Sequence, residues 1–159
     1  IKIEPININQ IINEVLDFLE KEILYRKIDI NLILSDSLVL IESDHGQIQQ
    51  VVLNLLSNAS AAVEDFGWIK IETKNIDNGG ISVKISDNGC GIPEDIIKNI
   101  FDPFFSTKKG KGTGLGLSIS YGIIKKLGGQ ISVESKPGKG AVFTFELPQK
   151  PIELEAING

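Results

Sequence analysis

Residues 87–93 read Asp-Asn-Gly-Cys-Gly-Ile-Pro (DNGCGIP) and follow a segment, 81–86, in which isoleucine and valine alternate with other residues. This alternation predicts a β-strand, so Asp87 stands at the end of a strand. Gly89 and Gly91 permit positive φ and close approach of a ligand to the backbone. On its own, Asp-Asn-Gly is equally typical of an ordinary turn. The stretch therefore indicates either a binding loop or a plain connection.

A helix predicted over 44–64 carries the second unusual pattern. Asp44 followed by Gln47 is a capping box that starts this helix. Its apolar residues recur at helical spacing: Ile48, Val51, Val52, Leu55, Leu56 and Ala59. Three carboxamides lie four residues apart and share one face: Gln50, Asn54 and Asn58. This polar stripe is either a solvated face or a row of groups that meets a ligand or a hydrated Mg²⁺.

Residues 110–118 (GKGTGLGLS) place glycine at every second position before a helix predicted over 115–127. Free backbone N–H groups at the positive end of a helix dipole form a ready anion site. The segment has no Gly-Lys-Ser/Thr and so does not match the Walker pattern. Its glycine spacing also differs from that of the dinucleotide fingerprint. The pattern points to phosphate without specifying the nucleotide.

Between these motifs, residues 101–109 (FDPFFSTKK) hold three phenylalanines in five positions and two lysines. The phenylalanines, Phe101, Phe104 and Phe105, suit an ordinary core. They suit equally well the anchor of a lid over 102–113 whose lysines reach phosphates. We expect this lid to be poorly ordered without a ligand, because glycine and lysine dominate it.

The remaining pattern predicts an α+β fold, a two-layer sandwich of helices on one face of a mixed, mostly antiparallel sheet. An edge strand is predicted over 3–8, a helix from an N-cap at Asn9 to Tyr25, and a strand over 28–34 with a hairpin partner at 38–41. Further strands are predicted over 68–74, 130–135 and 140–147, and a short helix over 94–100. We expect one domain over 1–150 and a tail over 151–159.

Composition narrows the function classes. The 159 residues carry a formal charge of −5, one Cys, one His and no Met. No apolar run is long enough for a membrane span, a single Cys excludes an internal disulfide, and the acidic balance disfavours a general nucleic-acid binder. The absence of Met suggests a piece cut from a longer protein. One His leaves little room for a multi-histidine metal site.

Taken together and in order, the motifs resemble the ATP-binding catalytic domain (HATPase_c) of sensor histidine kinases. That domain belongs to the GHKL superfamily, which also contains gyrase, mismatch-repair and heat-shock-chaperone ATPases. Residues 50–59 (QVVLNLLSNA), 87–93, 104–108 (FFSTK) and 110–118 resemble the N, G1, F and G2 boxes of that family, and 140–148 (GAVFTFELP) resembles its closing strand. The resemblance implies a Bergerat-type ATP-binding fold.

The same resemblance implies the roles of individual residues. Asn54 would coordinate Mg²⁺ and act with Lys108 in catalysis, and Asp87 would accept a hydrogen bond from the adenine amino group. The implied ATP-binding residues are Asn54, Asn58, Asp87, Gly89, Gly91, Ile92, Phe101, Phe105, Thr107, Lys108, Gly112, Thr113, Gly114, Leu115, Gly116 and Leu117.

The function implied by the resemblance is transfer of the γ-phosphoryl group of ATP to a histidine on a separate helical dimerisation domain of the same protein. A response regulator would act downstream, and the isolated domain would be cytoplasmic, monomeric and inactive without the acceptor. The related hydrolases place a glutamate where this chain has Asn54, which favours transfer over hydrolysis. The alternatives are an ATPase of the same superfamily and a nucleotide-binding regulator without transfer activity. His45 lacks the acidic neighbour of a phosphoacceptor box, so we expect a surface histidine.

Overall fold

The computed structural model describes residues 1–102 and 115–151. Within them the helices are α1 (Ile8–Phe18), α2 (Glu20–Arg26), α3 (His45–Ala62), α4 (Glu94–Ile97) and α5 (Leu115–Lys126). The strands are β1 (Glu4–Ile6), β2 (Asp29–Ile33), β3 (Ile41–Ser43), β4 (Trp68–Asn75), β5 (Ile81–Asp87), β6 (Gln130–Ser135) and β7 (Ala141–Leu147).

Five strands form the main sheet in the order β2-β4-β5-β7-β6. Strand β2 runs parallel to β4, and the other three pairings are antiparallel. Strand β5 is central, and Lys84 is its one exposed residue. Helix α3 packs against both α1 and α5, and α3 and α5 pack on the sheet. The predicted α+β sandwich with a mostly antiparallel sheet is confirmed.

Helix α3 lies at the centre of this packing because its sequence is apolar on a wide face. The carboxylate of Asp44 accepts a 2.9 Å hydrogen bond from the backbone N–H of Gln47, which caps the helix as predicted. The apolar residues named above are all buried, and they belong to one continuous core with the sheet. The polar stripe lies beside this buried face and is thereby fixed on a rigid helix.

The predicted hairpin of residues 28–34 with 38–41 is wrong. Strand β2 pairs in parallel with β4, and β3 pairs with β1 in a separate two-stranded sheet. The side chain of Asn75, at the end of β4, bonds the backbone of Ser37 and of Val39. These bonds hold the 37–39 segment beside β4, in place of a hairpin ladder with β2.

The single helix predicted from Asn9 to Tyr25 is also wrong in two respects. Asn7 is the N-cap, and its side chain accepts a hydrogen bond from the N–H of Asn9. Helix α1 ends at Phe18, Leu19 is its C-cap with a ψ of 2°, and α2 begins at Glu20. None of the α2 residues is buried. The break was not visible in the sequence, because the helical spacing of apolar residues continues across it. Leu19 and Ile23 both pack against the edge of the core.

Candidate nucleotide site

Asp87 is the last residue of β5 and is held between two neighbouring strands. It is paired with Ile69 of β4 and with Ala141 of β7, and it is 4% exposed. Its Oδ1 accepts a 2.8 Å hydrogen bond from the N–H of Gly89. A buried carboxylate at the end of a central strand offers a fixed acceptor, which suits recognition of an amino group.

The loop after Asp87 rests on the C-terminal end of α3. The N–H of Cys90 donates a 3.1 Å hydrogen bond to the carbonyl of Ala62, the last residue of that helix. A Cβ added at Gly89 would lie 2.5 Å from the same carbonyl oxygen. Glycine is therefore required here by the close approach of the protein's own backbone. Helix α3 and the loop after Asp87 are therefore held together as one continuous surface.

The opposite side of the loop contacts the turn between β6 and β7. The N–H of Gly138 donates a 2.7 Å hydrogen bond to the carbonyl of Cys90. Gly91 has a φ of 75°, and a Cβ there would overlap the carbonyl of Lys136. A Cβ on Gly140 would overlap the carbonyl of Asp87 in the same way. The contacts of the 137–140 turn were missed from sequence, because a Pro-Gly-Lys-Gly segment reads as an ordinary hairpin connection.

Asn54 of α3 makes the most specific contacts in the polar stripe. Its Nδ2 donates to the carbonyl oxygen of Gly116 at 3.1 Å and to the Oγ of Ser120 at 3.2 Å. Its Oδ1 accepts a 2.8 Å hydrogen bond from the Nε2 of Gln50. The stripe is therefore not simply solvated, since its central residue joins α3 to the start of α5.

Asn58 lies one turn further along α3 and is half-buried. Its side chain has no hydrogen-bond partner among residues 1–102 and 115–151. Gly116 is close to the stripe, because a Cβ there would be 3.8 Å from the Cγ of Asn54. The structure thus brings the predicted N-box residues and the N-terminal turn of α5 together.

Phe101 and Ile92 anchor the segments on either side of α4. The ring of Phe101 lies 5.4 Å from that of Tyr121 and 6.5 Å, edge-on, from that of Phe143. The N–H of Ile92 donates a 2.8 Å hydrogen bond to the Oγ of Ser135. Phe101 is half-buried among these contacts, which fit an ordinary core residue and a lid anchor equally well.

Several predicted residues lie outside the described part of the chain. They are Phe105, Thr107, Lys108, Gly112, Thr113 and Gly114, together with most of the predicted lid over 102–113 and the tail after 151. Leu115 begins α5, and Leu117 is half-buried against the core. The roles of these residues in binding and catalysis remain predictions.

The donors in this region suit one kind of metal ion. In the described residues, no group of three or more His, Cys, Asp or Glu side chains could hold a metal. The half-buried carboxamide oxygen of Asn54 is a neutral, hard ligand on a rigid helix. Mg²⁺ keeps most of its ligands as waters and phosphate oxygens, so one such protein oxygen fits it.

Two residues important for this region were not found from sequence. Ser120 is fully buried in α5 and contacts Asn54. Its signal was present, because Ser120 occupies a core position in the helical series Leu117, Ser120, Ile124 and Leu127. Arg26 of α2 donates to the carbonyls of Ser60 and Val63, at 2.7 and 2.6 Å. Nothing local to its sequence indicated that contact.

His45 lies on the surface, as predicted, and its side chain is 41% exposed. Its Nε2 lies 2.9 Å from the Oε1 of Glu14, a residue of α1 that is distant in sequence. The carboxylate that it contacts does not belong to a phosphoacceptor box, because it comes from another helix.

Among residues 1–102 and 115–151, no helix combines the length and the apolar character that a membrane crossing requires.

Comparison with known proteins agrees with this geometry. Residues 43–151 match the family described as histidine kinase-, DNA gyrase B- and HSP90-like ATPases. The chain is 36% identical to sensor histidine kinase ZraS of Klebsiella oxytoca and 39% identical to histidine-protein kinase AtoS of Escherichia coli, in each case over 93% of its length. It spans 32% and 24% of those two proteins.

Solved structures give the same result. The catalytic domain of histidine kinase ThkA matches with a TM-score of 0.87 and 36% identity, over 96% of this chain and 99% of that one. ThkA in complex with response regulator protein TrrA matches with a TM-score of 0.81 and 34% identity, over 95% of this chain and 43% of that one. Full-length ShkA in complex with AMPPNP matches with a TM-score of 0.84 and 29% identity, over 93% of this chain and 31% of that one.

The chain is therefore similar to these proteins in sequence and in fold. The similar region includes the capped helix α3, Asp87 at the end of β5 and the glycine loop that follows it. The chain belongs to the family of histidine kinase-, DNA gyrase B- and HSP90-like ATPases, and it is a catalytic domain of the sensor histidine kinase type.

Proposed function

We propose that this domain binds ATP with Mg²⁺ and transfers the γ-phosphoryl group to a histidine on a separate helical domain of the same protein. The observation that carries this proposal is the position of Asn54. Its carboxamide is held between α3 and α5, on a helix that has no carboxylate between Asp44 and Glu64.

Adenine recognition would rest on Asp87. The buried carboxylate accepts hydrogen bonds and would accept one from the amino group of adenine. Guanine presents a carbonyl oxygen at the equivalent position, and two acceptors would then face each other without a proton between them. An unsatisfied buried acceptor costs about 1–3 kcal/mol, which is enough to select ATP over GTP.

Phosphate binding would rest on α3 and on the N-terminal turn of α5. Asn54 would offer its Oδ1 to the metal, and Asn58 would lie beside the phosphates. The alternating glycines before Leu117 would supply backbone N–H groups at the positive end of α5. Bound Mg²⁺ would neutralise part of the phosphate charge. Lys108, Lys109 and Lys111 are the cations that we assign to the lid.

The donors favour transfer over hydrolysis. In hydrolysis a general base activates water, and a carboxamide cannot accept a proton near neutral pH. In transfer, an imidazole nitrogen of the acceptor attacks the γ-phosphorus, the bond to the β–γ bridging oxygen breaks, ADP leaves, and the imidazole proton passes to solvent. The protein then contributes position and charge neutralisation, without a base on α3.

The acceptor lies outside this chain in the proposed scheme. His45 is the one histidine present, and it contacts Glu14 on the side of α1. The relatives are longer proteins, and ThkA has been solved with a response regulator. We therefore assign the next phosphate acceptor to a response regulator. The isolated domain is proposed to be a monomer that works in the cytoplasm, where ATP is available.

The test is to incubate the domain with ATP labelled at the γ-phosphate, with and without the helical acceptor domain. The expected result is acid-labile, alkali-stable label on the acceptor domain, and no label on this chain alone. Free phosphate released at a rate comparable to transfer would instead support an ATPase. Nucleotide binding without either product would support a regulatory module.

A matched pair of variants assigns the result to α3. Asn54→Ala removes the oxygen proposed to meet the metal, and it is expected to lower the rate of transfer by 100-fold or more, on the order expected for loss of a positioned electrostatic group. Asn99→Ala, in the turn after α4, is the control and is expected to transfer at the rate of the unmodified domain. Equal rates for both variants would remove Asn54 from the mechanism.

A further inference from the structure

The side-chain amide of Asn54 is held in one orientation by α5. Its Nδ2 donates to two acceptors, the carbonyl oxygen of Gly116 and the Oγ of Ser120. A backbone carbonyl can only accept, so the nitrogen, and not the oxygen, must face Gly116. The oxygen of Asn54 is thereby directed to the other side, where Gln50 donates to it.

This orientation matters because the two ends of a carboxamide are similar in size and opposite in chemistry. The oxygen can ligate a cation, whereas the NH₂ group carries two donors and cannot. Rotating the amide by half a turn would place its oxygen about 3 Å from the carbonyl oxygen of Gly116, two acceptors in contact. The acceptors on α5 therefore determine which end of Asn54 is presented to a ligand.

The two sides of Asn54 differ in mobility. Gln50 is exposed and can rotate into solvent when another group takes its place at Oδ1. Ser120 is 0% exposed and lies on the core face of α5, between Leu117 and Ile124, so its hydroxyl is fixed by packing. The nitrogen of Asn54 thus contacts a buried group, whereas its oxygen contacts an exposed side chain that a ligand can replace.

We propose that Ser120 is a positioning residue for the metal of the bound nucleotide. It holds Asn54 through the amide nitrogen, so that the amide oxygen faces the place where Gln50 now donates. This inference rests on the proposed function, because it assigns Asn54 to Mg²⁺. It predicts that the hydroxyl of Ser120 affects the metal-dependent part of nucleotide binding and leaves the metal-free part unchanged.

The experiment compares the affinity for AMPPNP, measured by calorimetry, in EDTA and in saturating Mg²⁺. For Ser120→Ala we expect metal-free affinity within about twofold of the unmodified domain and a loss of about fivefold in the Mg²⁺ enhancement, the size of one net hydrogen bond. Ser82→Ala, which removes another buried hydroxyl, on β5, is the control and should change neither value.

A second variant covers the case in which alanine disturbs packing. Ser120→Cys leaves no cavity, puts a weak acceptor in place of the hydroxyl and is expected to show the same selective loss. An equal loss with and without Mg²⁺ in both variants would overturn the proposal, since Ser120 would then support the fold alone. Full Mg²⁺ enhancement in both variants would overturn it as well.

A readout without nucleotide separates this inference from the proposed function. In the amide spectrum of the free domain, the side-chain NH₂ protons of Asn54 should exchange slowly, and Ser120→Ala should speed their exchange while Ser82→Ala should not. Unchanged exchange in Ser120→Ala would overturn the inference whether or not ATP binds. Absence of nucleotide binding with the predicted exchange change would overturn the proposed function alone.

Discussion

The carbonyl oxygen of Ala62 accepts a 3.1 Å hydrogen bond from the N–H of Cys90. Ala62 ends the helix that carries Asn54 and Asn58, and Cys90 lies in the loop that follows Asp87. This bond joins the helix of Asn54, the proposed metal-binding residue, to the loop after Asp87, the proposed adenine-binding residue. Both residues therefore belong to one rigid surface. The precision of the nucleotide site therefore depends on the end of a helix as much as on the residues that would contact the ligand.

The first prediction concerns the space at this junction. Gly89→Ala would place a Cβ 2.5 Å from the carbonyl oxygen of Ala62, so the loop or the helix end must move. We expect a loss of about 1–3 kcal/mol in the free energy of unfolding, the usual cost of overpacking, with weaker nucleotide binding. Denaturant unfolding and calorimetry measure the two effects.

The control for this prediction is Gly122→Ala in α5. A Cβ at Gly122 has no neighbour within 4 Å, and alanine is the better helix former. This variant should gain about 0.5–1 kcal/mol in stability and keep its affinity for ATP. A stability for Gly89→Ala equal to that of Gly122→Ala would show that the junction is not tightly packed.

The second prediction concerns Arg26, which holds the same helix end from the side of α2. Its guanidinium donates to the carbonyls of Ser60 and Val63 and pairs with Asp65 at 2.9 Å, while its side chain is 19% exposed. Arg26→Met should lower the free energy of unfolding by about 2–3 kcal/mol, because charged hydrogen bonds to half-buried carbonyls are lost.

Lys21→Met removes a cation from the same helix and serves as the control. Lys21 is exposed and forms no ion pair within residues 1–102 and 115–151. Its stability should stay within about 0.5 kcal/mol of the unmodified domain. In Arg26→Met, amide exchange should also become faster at the C-terminal turn of α3. An equal, small effect of both variants would mean that charge alone, and not the geometry of the guanidinium, acts here.

The third prediction is a pH dependence at the start of α3. Burial raises the pKa of Asp44, but hydrogen bonds from the backbone of Gln47 and Lys2 outweigh it and bring the pKa below the ordinary value of 3.8. A carboxyl with a lowered folded-state pKa stabilises the fold above its unfolded-state pKa. That contribution is lost as the pH falls from about 3.8 through the folded-state pKa.

Asp44→Asn is the matched variant, since it keeps an acceptor for the cap and cannot titrate. The stability difference between the unmodified domain and this variant should be largest near neutral pH and should shrink below pH 3.8. Urea unfolding at a series of pH values measures it. A difference that stays constant down to pH 2 would contradict the assignment of the lowered pKa to Asp44.

Sequence predicted the elements that depend on local signals. Helix α3 followed from Asp44, Gln47 and an apolar period, and β5 followed from strict alternation that ends at Asp87. Alternation tells which face of a strand is buried but not which strand lies beside it. The parallel pairing of β2 with β4 was missed for that reason.

The same limit applies to the candidate site. The four motifs and their order were readable because each is a short run of unusual composition. The residues that hold these motifs in place were not readable, because they are distant in sequence. Ser120 contacts Asn54 across 66 positions, and Arg26 contacts Ser60 across 34. A serine in an apolar helical series was a usable signal for the first contact. The contacts of Gly140 with the backbone of Asp87 follow from sheet register, which one sequence does not show.

The central claim is that the surface formed by α3 and the loop after Asp87 binds ATP through Asp87. Calorimetric titration of ATP into Asp87→Ala tests this claim most directly. Asp87→Asn, which keeps an acceptor for the N–H of Gly89, is the partner variant, and thermal unfolding of both establishes that they are folded. The account predicts that the folded Asp87→Ala protein has no measurable affinity for ATP, while the unmodified domain binds ATP more tightly than GTP. An affinity for ATP unchanged by Asp87→Ala would contradict it.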